Sequence, residues 1–470
     1  MEVVLKIVQL VLSLSLLIFV HEMGHFFFAR VFGMRVDKFY LFFNPSFSIL
    51  RAKRIGGRWR LSWFSPAPPA DWSEHPEKTE WGIGWLPFGG YCKIAGMIDE
   101  SMDKEQLKQP PQSWEYRSRP AWQRIFVMVG GVLFNVIFAI LIYWGMLFTW
   151  GEQYIANRDV AYGVHCDSLA LEMGFRHGDR IVSFSGEPVE RFMNIQPNDK
   201  IRADIQISLI RNRAEEASVV RDGDTLSFPI DAHYIRTLLG RRQFLFSPRY
   251  PFVVDSIAAT SHNAQSGLLA GDRIVAIDST PALWPDLRQT LLGYAGEAVG
   301  LTVERGDSLL VIAAAVNDEG QIGVYSRTIF EVLPVTTQRY NLLSALPVGV
   351  VKGYDGIVDY VKELRLIFSP DTEAYKSVGS FITIANVFPG EWNWYSFWEI
   401  CGMLSIMLAV LNILPIPALD GGHLMFALYE LISRRKASDK FVEVAQWIGF
   451  LFLIALMLLA FGNDIIRYVF

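Results

Sequence analysis

Two histidines and a glutamate stand at the end of an uncharged apolar run, Leu16-Leu17-Ile18-Phe19-Val20-His21-Glu22-Met23-Gly24-His25. His21 and His25 are four residues apart, so on a helix both imidazoles project from one face, where two ring nitrogens can bind one zinc ion. Glu22 follows the first histidine directly. Its carboxylate then sits beside the metal without ligating it, placed to take a proton from water and pass it to a leaving amine. No charge lies between Ile7 and Val20, and ionisable groups in such a run are costly enough to mark a functional site. A satisfied core histidine at a helix end is the bland alternative, and the apolar setting weighs against it.

Catalytic zinc needs three protein ligands and an open position. Far along the chain stands Asn412-Ile413-Leu414-Pro415-Ile416-Pro417-Ala418-Leu419-Asp420-Gly421-Gly422-His423. Asp420 is the one carboxylate near the end of another apolar run at the depth expected for His21 and His25. The two prolines break the helix and free backbone groups that only a lined cavity satisfies, and Gly421 and Gly422 permit close approach. His423 is a second ligand candidate, with helix capping or support of a ligand as its other roles.

The elements that must position these groups are membrane helices. Of 470 residues, 51% are hydrophobic and the mean hydropathy is +0.25, too apolar for an ordinary soluble chain. Four runs are long enough for a bilayer core: Ile7 to Val20 extended through Phe28, Ile125 to Trp150, Ile400 to Leu419, and Val444 to Asn463. The first lacks the basic start and small-residue cleavage site of a secretory signal. Behind it come Arg30, Arg35, Lys38, Arg51, Lys53, Arg54, Arg58 and Arg60, opposed before Asp71 only by Asp37. Such a bias marks the cytoplasmic side. Arg434, Arg435, Lys436 and Lys440 fall on that same side. Both termini and the long segment between the second and third spans then face outward, into the periplasm of a bacterium. Cys92, Cys166 and Cys401 are scattered, so neither a disulfide framework nor a thiolate metal site is expected.

Between the first two spans, aromatic and β-branched residues punctuated by glycines read as short strands. Trp81 to Tyr91 is too short and glycine-broken to span; it fits a hairpin dipping into the membrane, or a soluble β-layer with aromatic packing. The outward segment holds a repeat: Gly174-Phe175-Arg176-His177-Gly178-Asp179-Arg180-Ile181-Val182 matches Gly267-Leu268-Leu269-Ala270-Gly271-Asp272-Arg273-Ile274-Val275, 93 residues on. A period near one small domain implies a tandem duplication. These turns resemble the PDZ fold, whose members bind peptide by strand addition; capture of a peptide or C-terminus and steric capping of the membrane site are both open. Apolar residues at helical spacing between Leu342 and Phe368 predict amphipathic helices. Trp392, Trp394, Tyr395, Phe397 and Trp398 then form an interfacial belt.

His-Glu-x-x-His in the first span and Asn-x-x-Pro-x-Pro-x-Leu-Asp-Gly-Gly near the end together resemble the site-2 protease family of intramembrane zinc metalloproteases, the M50 type. The resemblance covers the whole chain. It implies one zinc ion held by His21, His25 and Asp420, with Glu22 as general base. It also implies that Asn412 hydrogen-bonds substrate or intermediate, that Pro415 and Pro417 shape the broken helix holding substrate, and that a re-entrant β-loop ending Gly89-Gly90-Tyr91 pairs with unwound substrate. Substrates would be single-pass membrane proteins, such as an anti-sigma factor already cut in the periplasm, and remnant signal peptides; the bilayer is a partner and nucleic acid is not. The chain departs from the family's pattern at Gly130-Gly131-Val132-Leu133-Phe134-Asn135, where Gly-Pro usually precedes the asparagine, and at Val378 to Ile382, where Gly-Pro-Ile is common.

The expected architecture is therefore a multi-pass α-helical membrane protein of the bacterial inner membrane. It has four transmembrane helices, a cytoplasmic-side re-entrant β-hairpin or sheet, and a periplasmic tandem of PDZ domains. The expected divisions are a first span at residues 1–30, a β region at 31–98, a linker at 99–121, a second span at 122–151, PDZ domains at 152–240 and 241–333, amphipathic and membrane-associated segments at 334–396, a third span at 397–422, a cytoplasmic loop at 423–440 and a fourth span at 441–470. Two other classes remain as rivals. A catalytically dead PDZ scaffold has no need of His21, Glu22, His25 and Asp420 together, and a zinc transporter needs ionisable residues along several spans, which the second and fourth runs lack.

Overall fold

The computed structural model describes residues 1–470 apart from 88, 98–109, 198–199, 240–242, 279, 370–374, 376–377 and 470. Residues 99–109 of the linker expected at 99–121 therefore lie outside the described residues. The chain divides into two compact units, Met1–Thr149 with Tyr340–Leu364 and Val378–Phe470, and Trp150–Arg339 with Arg365–Ser377.

Helices of the first unit are α1 (Glu2–Val31), α2 (Ala121–Trp150), α3 (Leu342–Ile367), α4 (Phe381–Val387), α5 (Trp394–Ile413), α6 (Asp420–Ser433) and α7 (Asp439–Val469). Among the described residues, α1, α2, α5 and α7 are long and apolar enough to cross a membrane. Small residues set their packing, because apolar helices in lipid associate by close contact instead of by expelling water. A Cβ on Gly24 of α1 would lie 2.1 Å from the Gly130 carbonyl oxygen of α2, so these two helices meet backbone to backbone. Ser405 of α5 donates to the Asn135 carbonyl of α2 at 2.8 Å.

Two stretches differ from expectation. The helix expected over 397–422 stops at Ile413, with Leu414 extended: Pro415 and Pro417 lack the N–H that would continue the ladder. Asp420 opens the separate helix α6, which runs to Ser433 and occupies most of the stretch expected as a loop at 423–440. The amphipathic pattern after Leu342 forms one helix, α3, and its glycines press it into the first unit. A Cβ on Gly353 would meet Ile140 of α2 at 2.7 Å, and one on Gly356 would meet Ile406 of α5 at 2.5 Å. The buried Ala139, Ile406 and Val410 pack with Ile357, Tyr360 and Leu364 of α3.

A five-stranded sheet follows α1, built from β1 (Val36–Leu41), β2 (Phe43–Ile55), β3 (Arg58–Ser65), β4 (Glu80–Leu86) and β5 (Tyr91–Ile94) in the order β3-β2-β4-β1-β5. This corrects the expectation of a hairpin over 81–91. Strands β4 and β5 flank β1, one parallel and one antiparallel to it. Gly82 and Gly84 make room for the central strand: a Cβ there would collide with the Tyr40 ring at 2.2 Å and the Phe43 carbonyl at 2.1 Å. The hairpin of this region is instead β2–β3, turned at Gly56 and Gly57 with φ of +59° and +80°.

The second unit contains two modules with separate cores, one around Ile155, Phe175, Phe184, Phe192 and Val219 and one around Val254, Ile274, Ile277, Leu301 and Val303. The repeated Gly-x-x-x-Gly-Asp turn has the same physical basis in both. Asp179 accepts from the Arg176 backbone N–H and from the Arg221 guanidinium; Asp272 accepts from the Leu269 N–H and from Arg305. The second guanidinium nitrogen of each arginine also reaches the first glycine's carbonyl, Gly174 or Gly267. The first module extends past the boundary expected at 240. Strand Phe246–Pro248 pairs with Val164–Cys166, and after the second module the chain returns, so that Thr336–Gln338 pairs with Glu152–Tyr154.

Candidate metal centre

α1 places His21 and His25 on one buried face, their rings edge to face with centroids 4.8 Å apart. The break after α5 and the start of α6 bring Asp420 to the same point. His21 Nε2 lies 3.0 Å and His25 Nε2 3.3 Å from Asp420 Oδ2, and the two Nε2 atoms are 3.2 Å apart. A tetrahedral zinc ion with bonds of about 2.0–2.1 Å holds ligand atoms about 3.3 Å apart, close to these separations.

The remaining hydrogen bonds decide what these three atoms carry. His25 Nδ1 lies 2.8 Å from the Val127 carbonyl of α2, so Nδ1 bears the proton and Nε2 presents a lone pair. The Asn135 side-chain amide of α2 is 3.1 Å from His21 Nδ1, while Asn135 Oδ1, fully buried, has no donor. The amide orientation that directs Oδ1 at Nδ1 satisfies both groups and leaves His21 Nε2 as a second lone pair. Asp420 Oδ2 is likewise buried without a hydrogen-bond donor. Three acceptor atoms this close repel one another in a low-dielectric site, and a cation between them removes that cost. The donor set therefore fits zinc.

Glycines keep this point open to the backbone. A Cβ on Gly131 of α2 would lie 2.6 Å from both His21 Cε1 and His25 Nε2, so any side chain there would displace the imidazoles. Gly421 and Gly422 let the start of α6 fold onto Leu414 and Pro417, where a Cβ would lie 2.0 and 2.4 Å from their backbone atoms. Asn412, buried at the end of α5, has its amide nitrogen 3.3 Å from His21 Nε2. Pro415 is exposed and Pro417 half-buried in the link between α5 and α6. His423 sits one turn into α6 and meets Gln446 of α7 at 3.1 Å; it is not among the groups gathered at the site.

The β region reaches the same place from the other side. A Cβ on Gly90 would meet Ile18 of α1 at 2.7 Å, and Gly89, with φ +147°, lies against Phe43. Tyr91 stacks on Tyr40 with ring planes 1° apart and donates to Asn44 at 3.0 Å. The next residue, Cys92, hydrogen-bonds the Glu22 carboxylate through its backbone N–H. Sequence reasoning missed Cys92 and the Val127 carbonyl, since backbone groups leave no trace in residue type. Asn135 carried a signal, as a lone amide in an uncharged span.

The fold and the site define a helical membrane protein with a buried His-His-Asp centre. Residues 9–456 match the family model for Peptidase family M50, and the chain belongs to that family. A Xylella fastidiosa protein whose name describes a zinc metalloprotease is 27% identical over 478 residues, 97% of this chain and 98% of its own length. The Haemophilus influenzae Regulator of sigma E protease is 24% identical over 474 residues, with 97% and 98% covered. The Salmonella typhimurium Regulator of sigma-E protease RseP is 25% identical over 489 residues, with 99% and 100% covered. The protein is a zinc metalloprotease with membrane character.

Proposed function

We propose that this chain cleaves single-pass membrane proteins within or beside their transmembrane segment, with His21, His25 and Asp420 holding one zinc ion and Glu22 as general base. The observation that carries this reading is the convergence of His21 Nε2, His25 Nε2 and Asp420 Oδ2, 3.0 to 3.3 Å from one another, with a carboxylate adjacent. Zinc bound there supplies Lewis acidity toward a peptide carbonyl and toward water. Glu22 would take the proton from the attacking water and deliver it to the leaving amine. Asn412 orients the reacting carbonyl beside His21. Gly89, Gly90 and Tyr91 hold an unwound stretch of substrate at strand β5, replacing helical hydrogen bonds lost in lipid, and Pro415 and Pro417 flank it from the α5–α6 link.

In this reading the site lies in the bacterial inner membrane near the cytoplasmic face, and both termini and the two repeated modules are periplasmic. The modules are PDZ domains that admit substrates already trimmed outside, either by binding a new C-terminus or by excluding bulk. Two relatives are named for regulation of sigma E; an anti-sigma factor is the proposed substrate class, with remnant signal peptides as a second. The test is cleavage of a tagged single-pass substrate by purified protein. Glu22→Gln and zinc removal should each abolish product, and undiminished cleavage by Glu22→Gln overturns the mechanism.

A further inference from the structure

The hairpin β2–β3 carries an aromatic face that the described residues leave open. In strand β3, Trp59, Leu61, Trp63 and Phe64 are 56, 56, 61 and 70% exposed. Pairing assigns the first three to one side of the sheet, because directly opposed residues share a face. Leu61 continues across the sheet to Ala52, Trp81 and Phe39, and Trp63 to Leu50, Ile83 and Leu41. At its inner end this face is a membrane-helix contact: Phe39 meets Phe19 and Phe26 of α1 at 5.7 and 5.8 Å, and Trp81 meets Phe26 at 5.0 Å.

The opposite face is polar and buried at its inner end. Arg51 bonds Glu80 at 2.7 Å with both buried, and the Lys53 ammonium donates to the Trp72 carbonyl at 2.9 Å. The sheet is thus amphipathic, with its apolar side running from a spanning helix out to tryptophans that the described residues leave uncovered. Arg54, directly opposite Trp59, and Arg58 at the turn are exposed at that outer end.

We infer that the β2–β3 hairpin is an interfacial membrane anchor, with Trp59, Leu61 and Trp63 in the boundary between headgroups and acyl chains and Arg54 and Arg58 against anionic headgroups. Tryptophan beside arginine suits that boundary, where an amphipathic ring and a charged tip are both satisfied. A soluble partner is disfavoured because the same continuous face touches α1, a helix read as crossing the bilayer. The anchor is distinct from the stretch at Gly89–Tyr91. Through β2, β4 and β1 it fixes the height of β5, and hence of the site, against the membrane. It rests on the membrane reading of α1 and not on the proteolytic one.

The test uses full-length protein in vesicles of phosphatidylcholine and phosphatidylglycerol, with single nitroxide labels at positions 58 to 63 and the unsubstituted protein as background. Saturation by oxygen, which partitions into lipid, is compared with saturation by a water-soluble nickel chelate. The expected result is alternation, with labels at 59, 61 and 63 favouring oxygen at least about threefold more than those at 58 and 60. Equal access of the nickel chelate to both sets overturns the anchor, as does an immobilised label at 61 shielded from both reagents, which would mean that protein covers the face. Because the labels replace exposed side chains, zinc content checks that each variant keeps its site. Loss of membrane integration of the whole chain would instead refute the membrane reading of α1.

Discussion

Among the described residues, two clusters of identical composition could hold a metal: His21, His25 and Asp420 in the first unit, and His165, His177 and Asp286 in the second. They differ in what their atoms already do. In the second, His165 Nδ1 donates to Asp286 at 2.5 Å, and the same carboxylate accepts from Arg249 at 2.7 Å. His177 Nδ1 accepts from the Cys166 N–H at 3.1 Å, which leaves its proton on Nε2. Every ligand there has a hydrogen-bond partner, and an arginine neutralises the acid. In the first cluster the outer nitrogens are committed to Val127 and Asn135, so lone pairs face inward, with the Asn412 amide 3.3 Å from His21 Nε2 beside them. Residue type makes a cluster a candidate; the direction of its lone pairs decides whether a cation is needed. Asp286 serves instead as a latch, joining His165 and Arg249 to the helix Asp286–Leu292 beside Trp284, which packs against both module cores.

Glu22→Gln should lower cleavage by about 10²–10⁴-fold, the usual share of general acid–base catalysis, while the zinc content measured by atomic absorption stays at one per chain. A variant that loses its zinc would recast Glu22 as a ligand. Asn135→Leu removes the acceptor that orients His21, and metal affinity should fall about 10–100-fold in chelator competition; an unchanged affinity would show that the His21 tautomer is set elsewhere. His165→Ala is the mirror experiment: zinc content and cleavage in detergent should not change, and the partly exposed pair with Asp286 should cost no more than about 1 kcal/mol in thermal melts. Two zinc ions per chain, one lost in this variant, would break the distinction between the clusters.

The smallest expected effect concerns pH. Partial burial and then the neighbouring His165 hold the His177 imidazole below its usual value. A histidine depressed in the folded state contributes stability above its unfolded pKa of about 6.5, lost as pH falls through that value toward the folded one. His177→Gln should therefore flatten the loss of protease resistance of the second unit as pH falls below about 6.5. An unchanged slope would assign the acid sensitivity to other groups.

Much of the site was legible because spacing on one helix is a local property: the four-residue offset of His21 and His25 determines their shared face whatever surrounds them. Asp420 was legible for a different reason, since carboxylates are scarce near apolar runs. The sheet was not. That Trp81–Leu86 sits between two strands instead of turning back toward Tyr91 depends on Gly82 and Gly84 accepting the Tyr40 ring and the Phe43 carbonyl, contacts between distant residues. The aromatic alternation in β3 was visible, but which of its faces lies open depends on what covers the other.

By itself, the order of residues determined the spanning runs, the His-Glu-x-x-His face and the Gly-Asp repeat, because helical period, hydropathy and left-handed turns act over a few residues. Tertiary structure alone decided that Asp420 begins its own helix, that Asn135 and Val127 point the histidine lone pairs inward, and that Cys92 reaches Glu22. Those outcomes rest on backbone groups and on approach between helices far apart in the chain, and residue type encodes neither.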